Sequence, residues 1–230
     1  MKSGEAMLEK GKQEDQAEGN TASEKKLTDA EWYFLYHGLL WSKGVLFQGR
    51  RLLQTDSQTS QLNDLVLEEP QHSYLYAEQI KVLDDIRRYE EEFFVHALYN
   101  AWFFLSRASN TISGFKAFVE RIESINGTGM IKDMRDMRAH IDEYIKGAGR
   151  FKERFCYVSP DDLYPAKPFG EHLFEADVTG TIVFPDAYII GGRINVNKTI
   201  QVLEELLPDI IKRCDQNLCP KMNNGSSDNV

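Results

Sequence analysis

From Ser73 onward the chain carries the stretch YLYAEQIKVLDDIRRYEEEFFVHALYNAWFFLSRA, and this stretch limits the possible folds more than any other. Leu75, Ile80, Leu83, Ile86, Phe93, Phe94, Ala97, Leu98, Ala101 and Leu105 recur at three- and four-residue steps, the spacing of one helix face. Its length predicts one long helix, which needs a partner of similar reach to cover its apolar side. The segment EWYFLYHGLLWSKGVLFQGRRLL supplies that partner. Thr28 stands as a cap with Glu31 three residues on, the pattern of a capping box, and Leu27 precedes it. Between the two, QTDSQTSQLNDLVLEEPQHS reads as a loop with one short turn at Leu62 to Leu67.

Two shorter helices follow, ISGFKAFVERIESI and IKDMRDMRAHIDEYIKGAGR. The second has Met130, Met134, Met137, Ile141, Tyr144 and Ile145 along its inner side and ends at Gly147 and Gly149. Beyond Arg150 the chain is irregular and punctuated by proline. DVTGTIVFPDAYIIGGRINV then reads as short strands with turns at Pro185-Asp186 and Gly191-Gly192, and NKTIQVLEELLPDIIKRC as a final amphipathic helix. The expected fold is mainly α: a bundle of four main helices over residues 27–150, then an irregular segment, a small β element and a C-terminal helix over 151–218. Residues 1–26 and 219–230 are too polar to offset the entropy of ordering and read as disordered tails.

Composition narrows the function classes. No run reaches the roughly 18 to 20 apolar residues of a membrane span, and the first twenty residues hold no apolar signal core, so a cytoplasmic, membrane-free protein is expected. The three cysteines, Cys156, Cys214 and Cys219, are odd in number and lack a CxxC spacing, which predicts free thiols. A net charge of −9 argues against broad attraction to nucleic acid, DNA included. The region from Met130 to Arg154 runs against that average, with seven basic residues to five acids. Phosphate-loop and nucleophile-elbow motifs do not occur. The five histidines form no metal-binding motif; Glu92 and His96 share a helix face but make only one pair. His37 reads as a packed or edge histidine. No metal or cofactor is expected.

The informative constellation is RDMRAH, in which Arg135 and Asp136 precede His140 in the order R-polar-x3-H. This resembles the signature of the HEPN superfamily, small helical bundles many of which are metal-independent ribonucleases that pair two copies to build one composite site. The resemblance covers roughly residues 28–150. It implies that His140 acts as acid or base near neutrality and that Arg135 clamps the scissile phosphate. Asp136 and Tyr144 each lie four residues from His140, so Asp136 would orient the ring and Tyr144 would donate to a phosphate or flank a base. Arg138, Lys146, Arg150 and Lys152 would bind the RNA or nucleotide. Arg135 and His140 are five apart, roughly 140° around a helix, so a homodimer sharing its sites is expected. The aromatic surplus of Trp32–Phe47 and Phe93–Phe104 offers contact for such a dimer. Two readings of a different kind compete with this one. In one, the alternating charges form only a salt-bridged solvent face and the chain is a non-catalytic helical interaction or regulatory module. In the other, it binds a nucleotide without cleaving RNA.

Overall fold

A computed structural model describes residues 27–110, 115–127, 129–146, 148–150 and 180–218, with the backbone alone for 216–218. The expected tails 1–26 and 219–230 and the irregular segment 151–179, with Lys152, Cys156 and Cys219, lie outside the described residues.

The chain is mostly helical. Helices α1 (Asp29–Glu68) and α2 (Ser73–Ser109) form an antiparallel hairpin joined by a single 3₁₀ turn at Pro70–His72. The capping box at Thr28 is formed. Its Oγ1 accepts from the Glu31 N–H at 3.2 Å, and Glu31 Oε2 accepts from the Thr28 N–H at 2.7 Å. Helix α1 overturns the loop expected between Gln54 and Ser73: it continues without interruption to Glu68. Thr55, Thr59 and Leu62 extend the 3–4 spacing of Leu52, and the Thr55 hydroxyl donates to Glu90 Oε2 of α2 at 2.9 Å.

One face of the hairpin is covered by the remaining elements. Helices α3 (Lys116–Asn126) and α4 (Met130–Ala139) pack on α2, and the C-terminal helix α6 (Val196–Leu218) packs on α1. Close approach of α6 depends on Gly49, where a Cβ would stand 2.7 Å from Ile200 Cδ1 and 2.9 Å from the Phe94 ring. Leu35, Leu52, Phe94, Leu98, Leu105, Ile122, Met134, Met137 and Leu203 fill the core between these layers.

The β element is a three-stranded antiparallel sheet in the order β1 (Thr181–Phe184), β2 (Ala187–Ile190), β3 (Ile194–Asn195). It turns at the two expected dipeptides. Gly191 and Gly192 hold φ of 56° and 62°, the left-handed region that glycine enters without steric cost. Asn126 ties α3 to this region, accepting from the Asn195 N–H at 3.1 Å and donating from Nδ2 to Thr199 Oγ1 at 3.1 Å. Asn195 in turn caps α6 by accepting from the Lys198 N–H at 3.0 Å.

The helix expected over 131–150 is divided. Helix α4 stops at Ala139, His140 leaves the helical region at φ −122°, ψ 32°, and the five-residue helix α5 (Ile141–Ile145) follows. The inner face predicted from methionine spacing holds for Met134, Met137 and Tyr144, while Ile145 points to solvent. Among the described residues no helix is long and apolar enough to cross a membrane.

Candidate functional site

Within the R-polar-x3-H motif, Arg135 and Asp136 pair with each other while His140 turns to Glu143. Arg135 pairs with its neighbour Asp136 (Nη1 to Oδ1, 2.9 Å) and lies over the Tyr99 ring at 5.2 Å from its centroid. Asp136 therefore serves the arginine, not the imidazole. His140, at the break between α4 and α5, is 58% exposed, and its Nδ1 lies 3.6 Å from Glu143 Oε1. Tyr144 is buried, its ring against Gly149. Lys146 is an exposed partner of Asp142 at 3.7 Å, and Arg150 is exposed.

Arg138 has a different place from the one expected of a phosphate binder. Its side chain is 5% exposed; Nη2 donates to Glu91 Oε2 at 3.1 Å, and Nε lies 2.9 Å from Glu92 Oε1. Glu91 is itself 3% exposed and gathers two more donors on its other oxygen, the Tyr188 hydroxyl at 2.6 Å and Thr181 Oγ1 at 2.5 Å. Burial pushes the Tyr188 hydroxyl well above the ordinary tyrosine range, and the Glu91 carboxylate beside it adds to the rise. Tyr188 is thereby kept as a hydroxyl donor. This cluster joins α2, α4 and the sheet. Beside it Glu90 takes Arg51 at 2.8 Å and the Thr55 hydroxyl. Asp56 has its carboxyl raised chiefly by burial, against the lowering effect of Arg87. Arg138 Nη1 and Arg87 Nε are buried with no hydrogen-bond partner among the described residues.

Glu91, Tyr188 and Thr181 were not singled out by sequence reasoning. The signal was present in the run Glu90-Glu91-Glu92. Its first two members fall on the inward spacing set by Leu83, Arg87, Phe94 and Leu98, where solvated acids do not belong. Glu92, the acid paired with His96 in the sequence reading, is committed to Arg138, and His96 packs edge-on to Trp41 with centroids 5.6 Å apart. His37 stacks on Phe104 at 5.2 Å, an edge position.

The second notable surface is apolar. Tyr33, Tyr36, Leu40 and Phe47 of α1 stand exposed at steps of three, four and seven residues. On α2, Leu75, Val82, Ile86, Tyr89 and Phe93 do the same at seven, four, three and four. Tyr89 is 69% exposed, Phe47 59% and Phe93 58%. The α2 stripe is rotated away from Glu91, Val95 and Tyr99, which face α4, so it lies on the side of the hairpin that the other elements leave uncovered. Toward the turn, Leu62, Leu65, Val82 and Leu83 line a groove between the two helices. No residue from Asp56 to Tyr89 is fully buried, and this part of the hairpin projects beyond the core.

No known protein family matches the chain, and neither a curated protein nor a solved structure does. The likeness to the HEPN superfamily rests on the spacing of Arg135, Asp136 and His140 alone.

Proposed function

We propose that the chain is a non-catalytic helical interaction module, a bundle of four main helices whose working surface is the open face of the α1/α2 hairpin. The observation that carries this reading is the row of exposed large apolar side chains on both helices of that face. A soluble monomer rarely exposes a contiguous apolar patch beyond a few hundred Å², and larger ones mark contact sites. The position of the candidate catalytic residues favours the same reading. A ribonuclease site would need His140 and Arg135 within reach of one phosphate, whereas Arg135 is held by Asp136 and Tyr99 and Tyr144 lies in the core. The charged residues of α4 instead act structurally, with Arg138 bolting the helix to Glu91 and Glu92 so that the hairpin is held rigid behind its open face.

The deciding experiment is incubation of the purified chain with single-stranded RNA in chelator, with His140→Ala alongside. The module reading expects intact RNA in both. Cleavage by the wild type that disappears in His140→Ala, with 2′,3′-cyclic phosphate ends, would overturn it in favour of the ribonuclease.

A further inference from the structure

We infer that the open hairpin face is covered by the same face of a second copy of this chain, lying antiparallel across a two-fold axis so that two hairpins make a four-helix layer. The inference rests on reading that face as a contact surface and specifies its occupant.

Size is the first argument. Helix α2 has 37 residues, about 55 Å at 1.5 Å per residue, and two helices side by side are about 20 Å wide. The face therefore offers about 1,100 Å² per copy, against about 800 Å² per partner in a stable interface of standard size. Spacing is the second. The α2 stripe at Val82, Ile86, Tyr89 and Phe93 repeats every three and four residues, the pattern that seats one helix in the groove of another.

Charge selects a second copy and fixes its direction. The half of the hairpin nearest the turn, residues 56–92, holds ten acids and three basic residues. The other half, residues 29–55 and 93–109, holds Lys43, Arg50, Arg51 and Arg107 against two acids, Asp29 and the capping residue Glu31. Arg50 and Arg51 are occupied within the chain by Glu204 and Glu90, and Lys43 lies toward Cys214 of α6, which leaves Arg107 to meet Glu78 and Asp85 of the opposite half. A parallel pairing would stack the acidic halves on each other. An antiparallel one lays each acidic half on the partner copy's basic half, and a two-fold axis satisfies both contacts at once.

The register follows from helix geometry. Measured from the turn at 1.5 Å per residue, the apolar row extends from about 5 Å at Leu75 to about 55 Å at Tyr33, so its centre lies about 30 Å out, between Tyr89 and Phe93. The axis passes there, and Val82, about 16 Å out, meets α2 of the second copy around Asn100, about 44 Å out.

Light scattering of the full chain at micromolar concentration should give twice the 26.5 kDa chain mass. The double variant Val82→Asp/Phe93→Asp should give the chain mass itself with an unchanged helical dichroism spectrum. If that variant unfolds, Phe47→Glu, on the other helix of the same face, replaces it with the same expectation. A photo-crosslinking benzoylphenylalanine at position 82 should attach to the second copy around Asn100 of α2, read by mass spectrometry of mixed light and heavy protein. A monomeric wild type, a folded variant that remains dimeric, or adducts mapping to Val82 and Ile86 of the second copy would each overturn the antiparallel pairing. A monomeric wild type that leaves RNA intact removes the pairing but not the contact surface; His140-dependent cleavage removes the contact-surface reading.

Discussion

Arg138 Nη2 lies 3.1 Å from Glu91 Oε2, with both side chains almost wholly out of water. A charge pair removed from solvent is costly to break, because the surviving partner keeps its desolvation penalty without its counter-charge. Glu91 also receives the hydroxyls of Tyr188 and Thr181, so it is the node of the cluster and Arg138 one of its spokes. Glu91→Ala should lower unfolding free energy by about 3–5 kcal/mol in urea titration. Arg138→Ala should cost less, since two donors remain on the carboxylate.

Asp56 gives a pH signature. Its folded-state pKa is raised, mainly by burial, so the native state binds its proton more tightly than the unfolded chain does. The ionised group therefore opposes folding near neutrality, and that opposition fades as pH falls through the raised pKa. Asp56→Asn should melt at a higher temperature than wild type at neutral pH. The difference between the two melting curves should shrink on acidification; a difference that grows instead would show that the Arg87 attraction dominates.

At Gly49 two effects compete. Alanine gains about 1 kcal/mol of helix propensity, but its Cβ would meet Ile200 and the Phe94 ring well inside van der Waals contact. Overpacking of a tight contact costs about 1–3 kcal/mol. Gly49→Ala should therefore be net destabilising. Combined with Ile200→Ala, the loss should fall short of the sum of the single losses, which a double-mutant cycle measures.

The motif residues separate in the same assay. His140→Ala removes an exposed ring with one loose contact and should change stability by no more than about 0.5 kcal/mol. Tyr144→Ala removes a buried aromatic from the core and should cost about 3–5 kcal/mol. Equal losses at the two positions would show that they act together.

Periodicity made the α2 stripe, the Thr28 capping box, the two β turns and the last helix readable, because each is set by residues close in sequence. Residues 54–68 were misread for a related reason. Gln, Ser, Thr and Asn dominate there, and their weak helix preference reads as a loop; packing of Thr55, Thr59 and Leu62 on α2 outweighs it. The stretch also lacks glycine and proline, a sign of continuity that the polar composition obscures. The division at His140 has no local marker, since Arg138, Ala139, His140 and Ile141 include no helix breaker. It coincides with two long-range commitments on either side, Arg138 to Glu91 and Tyr144 to the core. Spacing could place Asp136 four residues from His140 but could not foresee that Arg135 takes it first.

The junction of α1 with α6 also governs the order of assembly. The hairpin closes between neighbours in sequence, a small loop-closure cost, whereas Arg50 meets Glu204 across 154 residues. On the ribosome, helices α1 and α2 emerge long before the strip around Gly49 can be sealed, because Ile200 follows only after the three strands have been made. Through that interval the nascent protein carries an uncovered seam on the side of the hairpin that α3, α4 and α6 later close. That unsealed state presents more apolar surface to chaperones and to misassembly than the finished fold does.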